Sequence, residues 1–375
     1  MLSRPYQVCT RCVMDTSARD ITFDEKGICN FCSEFLEKSG HVLFMDEAER
    51  NRKREAYLFR VKADGQNKKY DCIIGLSGGV DSSWALYLAV KHGLRPLAVH
   101  MDNGWDTELA QNNIENLVQK LGVDLHTHVI DWDEYRELMQ AFFKADVIDI
   151  ELLYDNAMLA VNYQQARKWG VKHILAGTNT ATEGMNIPKE WNWYKLDARN
   201  IWAIWKRFGN GSRIRTFPAL GVTEYIYCHY VQRIKWENFL DYFFYNKAES
   251  IRVLVEEMEY KPYPYKHYES VFTRFYQGYI LLEKFGVDKR RVHLGTLVAA
   301  GQMKREEAIV LLEQIPYPSE SDQESDIQYF LKKMGWSSDD LKKYLARPQK
   351  PHAVYGTEKE LLPLLSSVYR TFVKR

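Results

Sequence analysis

The stretch DCIIGLSGGVDSSWALYLAVKHG, residues 71–93, decides the fold. Its first six residues open an apolar run of the kind that forms a strand buried on both faces. The run stops at Ser77-Gly78-Gly79. From Val80 onward, Val80, Ala85, Leu86, Leu88 and Ala89 fall at helical spacing, and Gly93 supplies a stop. Two glycines between a strand and a helix let the backbone approach a ligand without Cβ clashes. The helix start adds unpaired N–H groups and the positive end of its dipole. With their hydroxyls and amides, Ser77, Gly78, Gly79, Val80, Asp81, Ser82 and Ser83 read as a cradle for phosphate or pyrophosphate. Neither GxxxxGK[ST] nor GxGxxG is present, which excludes a Walker loop and a dinucleotide fingerprint.

Working outward, residues 95–102, 124–131 and 171–177 read as further strands. Residues 107–121, 134–145 and 151–169 read as the helices between them, the last stopped by Gly170. Strands alternating with helices imply a parallel, doubly wound α/β sheet. Asp102 and Asn103 follow the second strand, and Gly177, Thr178 and Asn179 follow the fourth. Both groups sit at carboxyl ends of parallel strands, where open α/β sheets bind ligands.

Composition bounds the rest. The 375 residues are 46% hydrophobic and 27% charged, an ordinary globular balance, and enough for about two domains at ~150 residues each. Fifty-one basic residues against 50 acidic ones leave no basic excess for a general nucleic-acid binder. No apolar run approaches the ~18 residues of a membrane span. The start, MLSRPYQVCTRC, has no apolar signal core, so a cytoplasmic location is expected.

Four regions follow: a cysteine module at 1–45, a connector at 46–69, the nucleotide-binding domain at 70–185, and an aromatic-rich, mostly helical substrate or partner region at 186–375. The connector holds five acids and eight bases in 24 positions and reads as an exposed helix. Residues 191–245 hold 16 aromatics. Among them Trp202, Trp205 and Phe208 share a helical face and read as core, whereas Trp191, Trp193 and Tyr194 lie in a polar loop and read as an exposed stacking surface. Residues 247–315 read as helical throughout. Residues 316–358, rich in Pro, Ser and charge, hold one short helix near 327–334, and a last helix runs over 358–374.

Cys9-x-x-Cys12 and Cys29-x-x-Cys32 enclose 16 residues. That spacing reads as a Cys₄ site for a structural Zn²⁺, and a segment this small needs a metal to fold. Cys72 reads as core packing, and Cys228 carries no assigned role. Glu183, after the fourth strand, and Lys266, in YPYPYKHYES, are candidate catalytic polar groups in the nucleotide context.

The glycine loop resembles the PP-loop of the ATP pyrophosphatases, the adenine-nucleotide alpha-hydrolase superfamily. The resemblance implies ATP and Mg²⁺ as cofactors and cleavage of ATP between its α- and β-phosphates. It places Asp81 near Mg²⁺ and pyrophosphate, Asp102 and Asn103 by the adenosine, and Gly177, Thr178 and Asn179 at the closing edge of the pocket. Over nearly the whole chain, CTRCVMDTS, GICNFC, SGGVDSS, HMDNGW, AGTNTATEG and DKRRVHLGTLVAAGQMKREEA look like the N-acetyl sugar amidotransferases of surface-polysaccharide biosynthesis. Membership there implies adenylation of the acetamido oxygen of an N-acetyl sugar, nucleotide-linked or sialic-acid-like. Ammonia then displaces AMP and leaves an acetamidino sugar for lipopolysaccharide, O-antigen or another surface glycan.

The sequence shows no Cys-His-Glu glutaminase block, so ammonia is expected from elsewhere. The resemblance implies a separate glutaminase and a barrel-type companion, both similar to those of histidine biosynthesis. Two other readings stand beside this one. The tRNA thiolation enzymes also join a Cys₄ knuckle to a PP-loop, but they usually carry SGGKDS. A nucleotide-binding or assembly protein without turnover is the third.

Overall fold

The computed structural model describes residues 5–264 and 268–365. Five parallel strands form its sheet: β1 (Cys72–Gly75), β2 (Pro96–Asp102), β3 (Leu125–Val129), β4 (His173–Ala176) and β5 (Lys235–Asn238), in the order β3-β2-β1-β4-β5. The chain moves outward from β1 to β3, then returns to the other side of β1 to lay down β4. Strand order therefore reverses between β1 and β4, and a crevice opens there at their carboxyl ends.

Ahead of the sheet come helices α1 (Asn30–Leu43) and α2 (Glu47–Asp64). Within it come α3 (Val80–Lys91), α4 (Glu108–Leu121), α5 (Trp132–Ala145), α6 (Leu152–Trp169), the single turn α7 (Thr180–Glu183) and α8 (Ala198–Phe208). The expected boundaries hold to within about two residues because local chemistry sets them. Thr107 caps α4 by accepting from the Ala110 N–H, and Gly122 and Gly170 end α4 and α6 in left-handed conformations. The period-two alternation of β1 sends Ile73 into the core under α6, and Cys72 and Ile74 into the core under α2, α3 and α4.

Several elements differ from expectation. The fifth strand, KWEN, is four mostly polar residues at the sheet edge, with no apolar run to announce it. The connector helix α2 is not simply exposed, for Tyr57, Leu58 and Val61 are buried against the sheet. It is tied down by His173, a fully buried imidazole whose Nδ1 lies 2.6 Å from Glu237 of β5 and whose Nε2 lies 2.9 Å from Asp64 of α2. Residues 247–315 are interrupted, since Glu259 turns left-handed after helix Lys247–Met258. The one short helix expected near 327–334 is longer, Glu320–Met334, and a second follows at Ser338–Ala346, because Ser319 and Ser337 act as N-caps. The expected last helix is described only as far as residue 365. No helix among the described residues is long and apolar enough to cross a membrane.

The sulfurs of Cys9, Cys12, Cys29 and Cys32 all lie within 4.8 Å of one another and are buried. Cys9 and Cys32 are 3.9 Å apart, Cys12 and Cys29 3.8 Å. Zn–S bonds of about 2.3 Å set tetrahedral neighbours about 3.8 Å apart, so the four sulfurs stand as ligands of one ion would. Backbone N–H groups of Arg11, Cys12 and Cys29 point at the Cys9 sulfur, which suits a thiolate. With four sulfurs the shell is closed, so the ion these residues could hold would serve structure.

The module is not a loose appendage. Arg305 donates to the carbonyls of Cys9 and Cys12, and Arg291 donates to the Val13 carbonyl and pairs with Asp15 at 3.0 Å. We expect purified protein to carry one zinc per chain. Cys29→Ala should abolish that zinc and lower the melting temperature by roughly 4 °C or more, the effect of about 2 kcal/mol in a protein of this size. Elemental analysis and thermal melts check both.

Candidate active site

A cavity of about 730 Å³ opens over the carboxyl ends of β1 and β4. One wall is the glycine loop. Gly78 has φ +79°, and a Cβ there would sit 2.8 Å from the Ala110 carbonyl oxygen of α4. A Cβ on Gly177, at the end of β4, would sit 2.7 Å from the Ser82 amide nitrogen. The loop thus passes between α4 and β4 with room for neither side chain. Inside it, Ser82 Oγ accepts from the Ser77 N–H at 3.2 Å, and Ser77 Oγ accepts from the Gly79 N–H at 3.3 Å. These bonds hold the loop open around the start of α3, where backbone N–H groups and a positive dipole end face the cavity.

Of the residues singled out from the sequence, Ser77, Gly79, Val80, Asp81, Ser82, Gly177, Thr178 and Glu183 line the cavity. Gly78 stands behind the loop, its carbonyl accepting from Tyr260 and Tyr263 at 3.1 and 3.2 Å. Ser83 is fully buried in α3. Asp102, Asn103 and Asn179 serve turns. The Asp102 carboxylate accepts from the Gly104 N–H, the Asn103 carboxamide from the Trp105 N–H, and Asn179 caps α7. From β2 it is Val99 and Met101 that reach the cavity. Lys266 lies outside the described residues.

The aromatic assignments are reversed in part. Trp191 is 1% exposed, so it is core and not a stacking surface. Trp193 is half-buried, donates its indole N–H to Asp197 at 2.8 Å, and stacks on His352. Trp202 is 37% exposed, while Ile201 and Ile204 form the buried stripe of α8. The cap at Asp197 sets the phase of this helix and turns Trp202 outward.

The sequence reading missed most of the opposite wall. Glu151, Asp155, Met158 and Asn162 line the cavity at 4-3-4 spacing, one face of α6 and the residue before it. Across from them stand Lys195, Gln277 and Lys289. Lys195 Nζ lies 2.6 Å from Asp149 and 2.8 Å from Asp155, and Lys289 Nζ lies 2.6 Å from Glu151. Gln277 donates to Glu151 at 2.8 Å.

Burial pulls the Lys195 ammonium down, but the two aspartates more than offset it and keep it charged. Burial also acts on the aspartates, yet with opposite net results. Asp149 ends below the usual carboxylate range because Lys195, Lys289 and His352 outweigh burial, whereas burial with Glu151 and Asp149 nearby leaves Asp155 above it. Also missed was Tyr245, whose hydroxyl donates to Asp81, and whose phenol burial and that carboxylate push far above its ordinary value.

The arrangement can bind a polyphosphate at the loop and a second, polar molecule against α6. Carboxylates of Asp81, Glu183 and Glu269 line the loop end of the cavity, the ligand type Mg²⁺ takes alongside phosphate oxygens and water.

Comparison with known proteins divides the chain in two. Residues 54–186 match the NAD synthase family, and residues 269–369 match the C-terminal domain of LPS biosynthesis protein WbpG-like proteins. An uncharacterized protein of Methanocaldococcus jannaschii is 33% identical over 120 residues, 31% of this chain and 40% of that protein. A probable tRNA sulfurtransferase of Methanobrevibacter smithii is 27% identical over 136 residues, 33% of this chain and 35% of that one. The chain thus spans well under half the length of these curated relatives. NMN synthetase from Francisella tularensis aligns with 51% of this chain and 72% of its own, at 20% identity and a TM-score of 0.26. The NH3-dependent NAD synthetase from Campylobacter jejuni aligns with 69% and 98%, at 15% identity and a TM-score of 0.30. The glycine loop thus lies in the segment that is similar to the NAD synthase family, and part of the cavity's lining comes from the segment that is similar to the WbpG-like C-terminal domain.

Proposed function

We propose that the protein is an ATP-dependent amidotransferase that adenylates the acetamido oxygen of an N-acetyl sugar and lets ammonia displace AMP, giving an acetamidino sugar for a surface glycan. One observation carries the reading: the WbpG-like region supplies Glu269, Thr273, Gln277, Lys289 and His293 to the same cavity that the glycine loop opens. The glycine loop and residues of the WbpG-like region thereby line one space, which supports a nucleotide and a sugar meeting there.

An amide oxygen is a poor leaving group. The glycine loop would hold the β- and γ-phosphates on its N–H groups, so that the amide oxygen attacks the α-phosphorus and pyrophosphate departs. Mg²⁺ bound near Asp81, Glu183 and Glu269 would neutralise charge on the departing pyrophosphate. Ammonia then attacks the imidate carbon, the C–O bond breaks, and AMP leaves carrying the former amide oxygen. Closing the cavity over this intermediate would keep out water, which would only regenerate the amide. Ammonia would come from a separate glutaminase with a barrel-type companion, or from ammonium in solution.

The matches to probable tRNA sulfurtransferases favour a second reading, modification of tRNA, since one of them reaches 40% identity over 68 residues. Pyrophosphate release that requires an acetamido sugar supports the first reading. Release that requires tRNA supports the second.

With sugar labelled by ¹⁸O in the acetamido group, mass spectrometry should find the label in AMP and a product about 3 Da lighter than the labelled sugar, or about 1 Da lighter than unlabelled sugar, as replacing O by NH requires. ADP as the stoichiometric product would refute this. Asp81→Asn should keep the fold, seen as an unchanged circular dichroism spectrum, and cut turnover at least about a hundredfold. The isolated chain should use ammonium salts and not glutamine, with rates rising with pH as the unprotonated fraction grows. Glutamine should serve only once a glutaminase is added, which amino-donor assays will decide.

A further inference from the structure

Glu151, Asp155, Lys195, Gln277 and Lys289 line the cavity from elements other than the glycine loop, and their chemistry is distinctive. Three carboxylates, Asp149, Glu151 and Asp155, face two lysines, and each lysine is already neutralised at 2.6 Å. Asp149, 1% exposed, anchors Lys195 from behind, so this ammonium is held to the wall and does not swing into the cavity. Gln277 spends its amide N–H on Glu151. On the same face of α6, Asn162 is 1% exposed, and its carboxamide oxygen has no partner among the described residues while the residue lines the cavity. A buried polar oxygen left unpaired is costly unless a ligand satisfies it.

Such a wall suits one class of ligand. A phosphate backbone needs unneutralised lysines or arginines, and here the lysines are matched by a surplus of carboxylate. A ring bearing hydroxyl and amide N–H groups needs fixed acceptors, which paired carboxylates and carboxamide oxygens provide. Resting on the amidotransferase reading, we propose that this wall is the acceptor subsite, and that it selects a polyhydroxylated acetamido sugar ring over a nucleic-acid backbone. Glu151 and Asp155, one helical turn apart, accept from ring hydroxyls. Lys195 and Lys289 are positioning residues that fix the two carboxylates. Any phosphate carried by the acceptor then lies away from α6, toward the cavity mouth.

Isothermal titration can test this on the full chain, with a panel of UDP- and CMP-linked acetamido sugars and a non-hydrolysable ATP analogue as separate probes. Glu151→Gln and Asp155→Asn should each weaken sugar binding at least about tenfold, the loss of charge-assisted hydrogen bonds, and leave affinity for the ATP analogue within about twofold. Gln277→Ala, which removes no charge, serves as a third variant should either of the others fail to fold, and should weaken sugar binding in the same sense. Sugar affinity unchanged in the folded variants, or ATP-analogue affinity falling in parallel, overturns the subsite while leaving the amidotransferase reading intact. Wild-type protein that binds none of the panel overturns both.

Discussion

The glycine loop is pressed between α4 on one side and the end of β4 on the other, and the remaining geometry is arranged around that squeeze. A side chain at Gly78 would strike the Ala110 carbonyl, and one at Gly177 would strike the backbone at Ser82. Neither obstacle is a flexible side-chain tip that could move aside. Parallel β1 and β4 must therefore lie side by side, with Ile73 against Ile174, for the loop amides to converge on one point. Tyr245, Tyr260 and Tyr263, all from beyond the sheet, close on the same loop, and their hydroxyls reach Asp81 and Gly78. A loop held from three directions keeps its backbone N–H groups in place without reorganisation when negative charge meets them.

The wall across the cavity follows a different principle. Buried charges are expensive, and removing one partner of a pair leaves the other exposed to the full cost. Each lysine facing α6 is matched by carboxylate, so the cavity keeps strong hydrogen-bonding groups without a large net field. On the proposed function, the two walls would divide the labour between binding phosphate with backbone amides and binding a polar acceptor with side chains.

What could be read from the sequence was what is local. The strand–SGG–helix unit, four of the five strands and the CxxC pairs each announce themselves within a few residues. What escaped depends on distant partners or on weak patterns. KWEN is too short and polar to register as a strand, and the tyrosines that hold the loop are ordinary aromatics until the fold brings them back to Gly78. The 4-3-4 face of α6 mixes two acids, a methionine and an asparagine, so an apolar template passes over it. Trp191 and Trp202 exchanged their expected places because a polar context says little about burial once Asp197 has set the helix phase.

The two arginines that grip the cysteine module reach it across 278 and 296 residues of chain. At translation speeds of about 5–20 residues per second, roughly 15–60 s separate synthesis of the knuckle from synthesis of its clasp. During that interval the four thiols have neither Arg291 nor Arg305 over them. A metal ion taken up in that interval would meet the four sulfurs before Arg291 and Arg305 bind the carbonyls beside them.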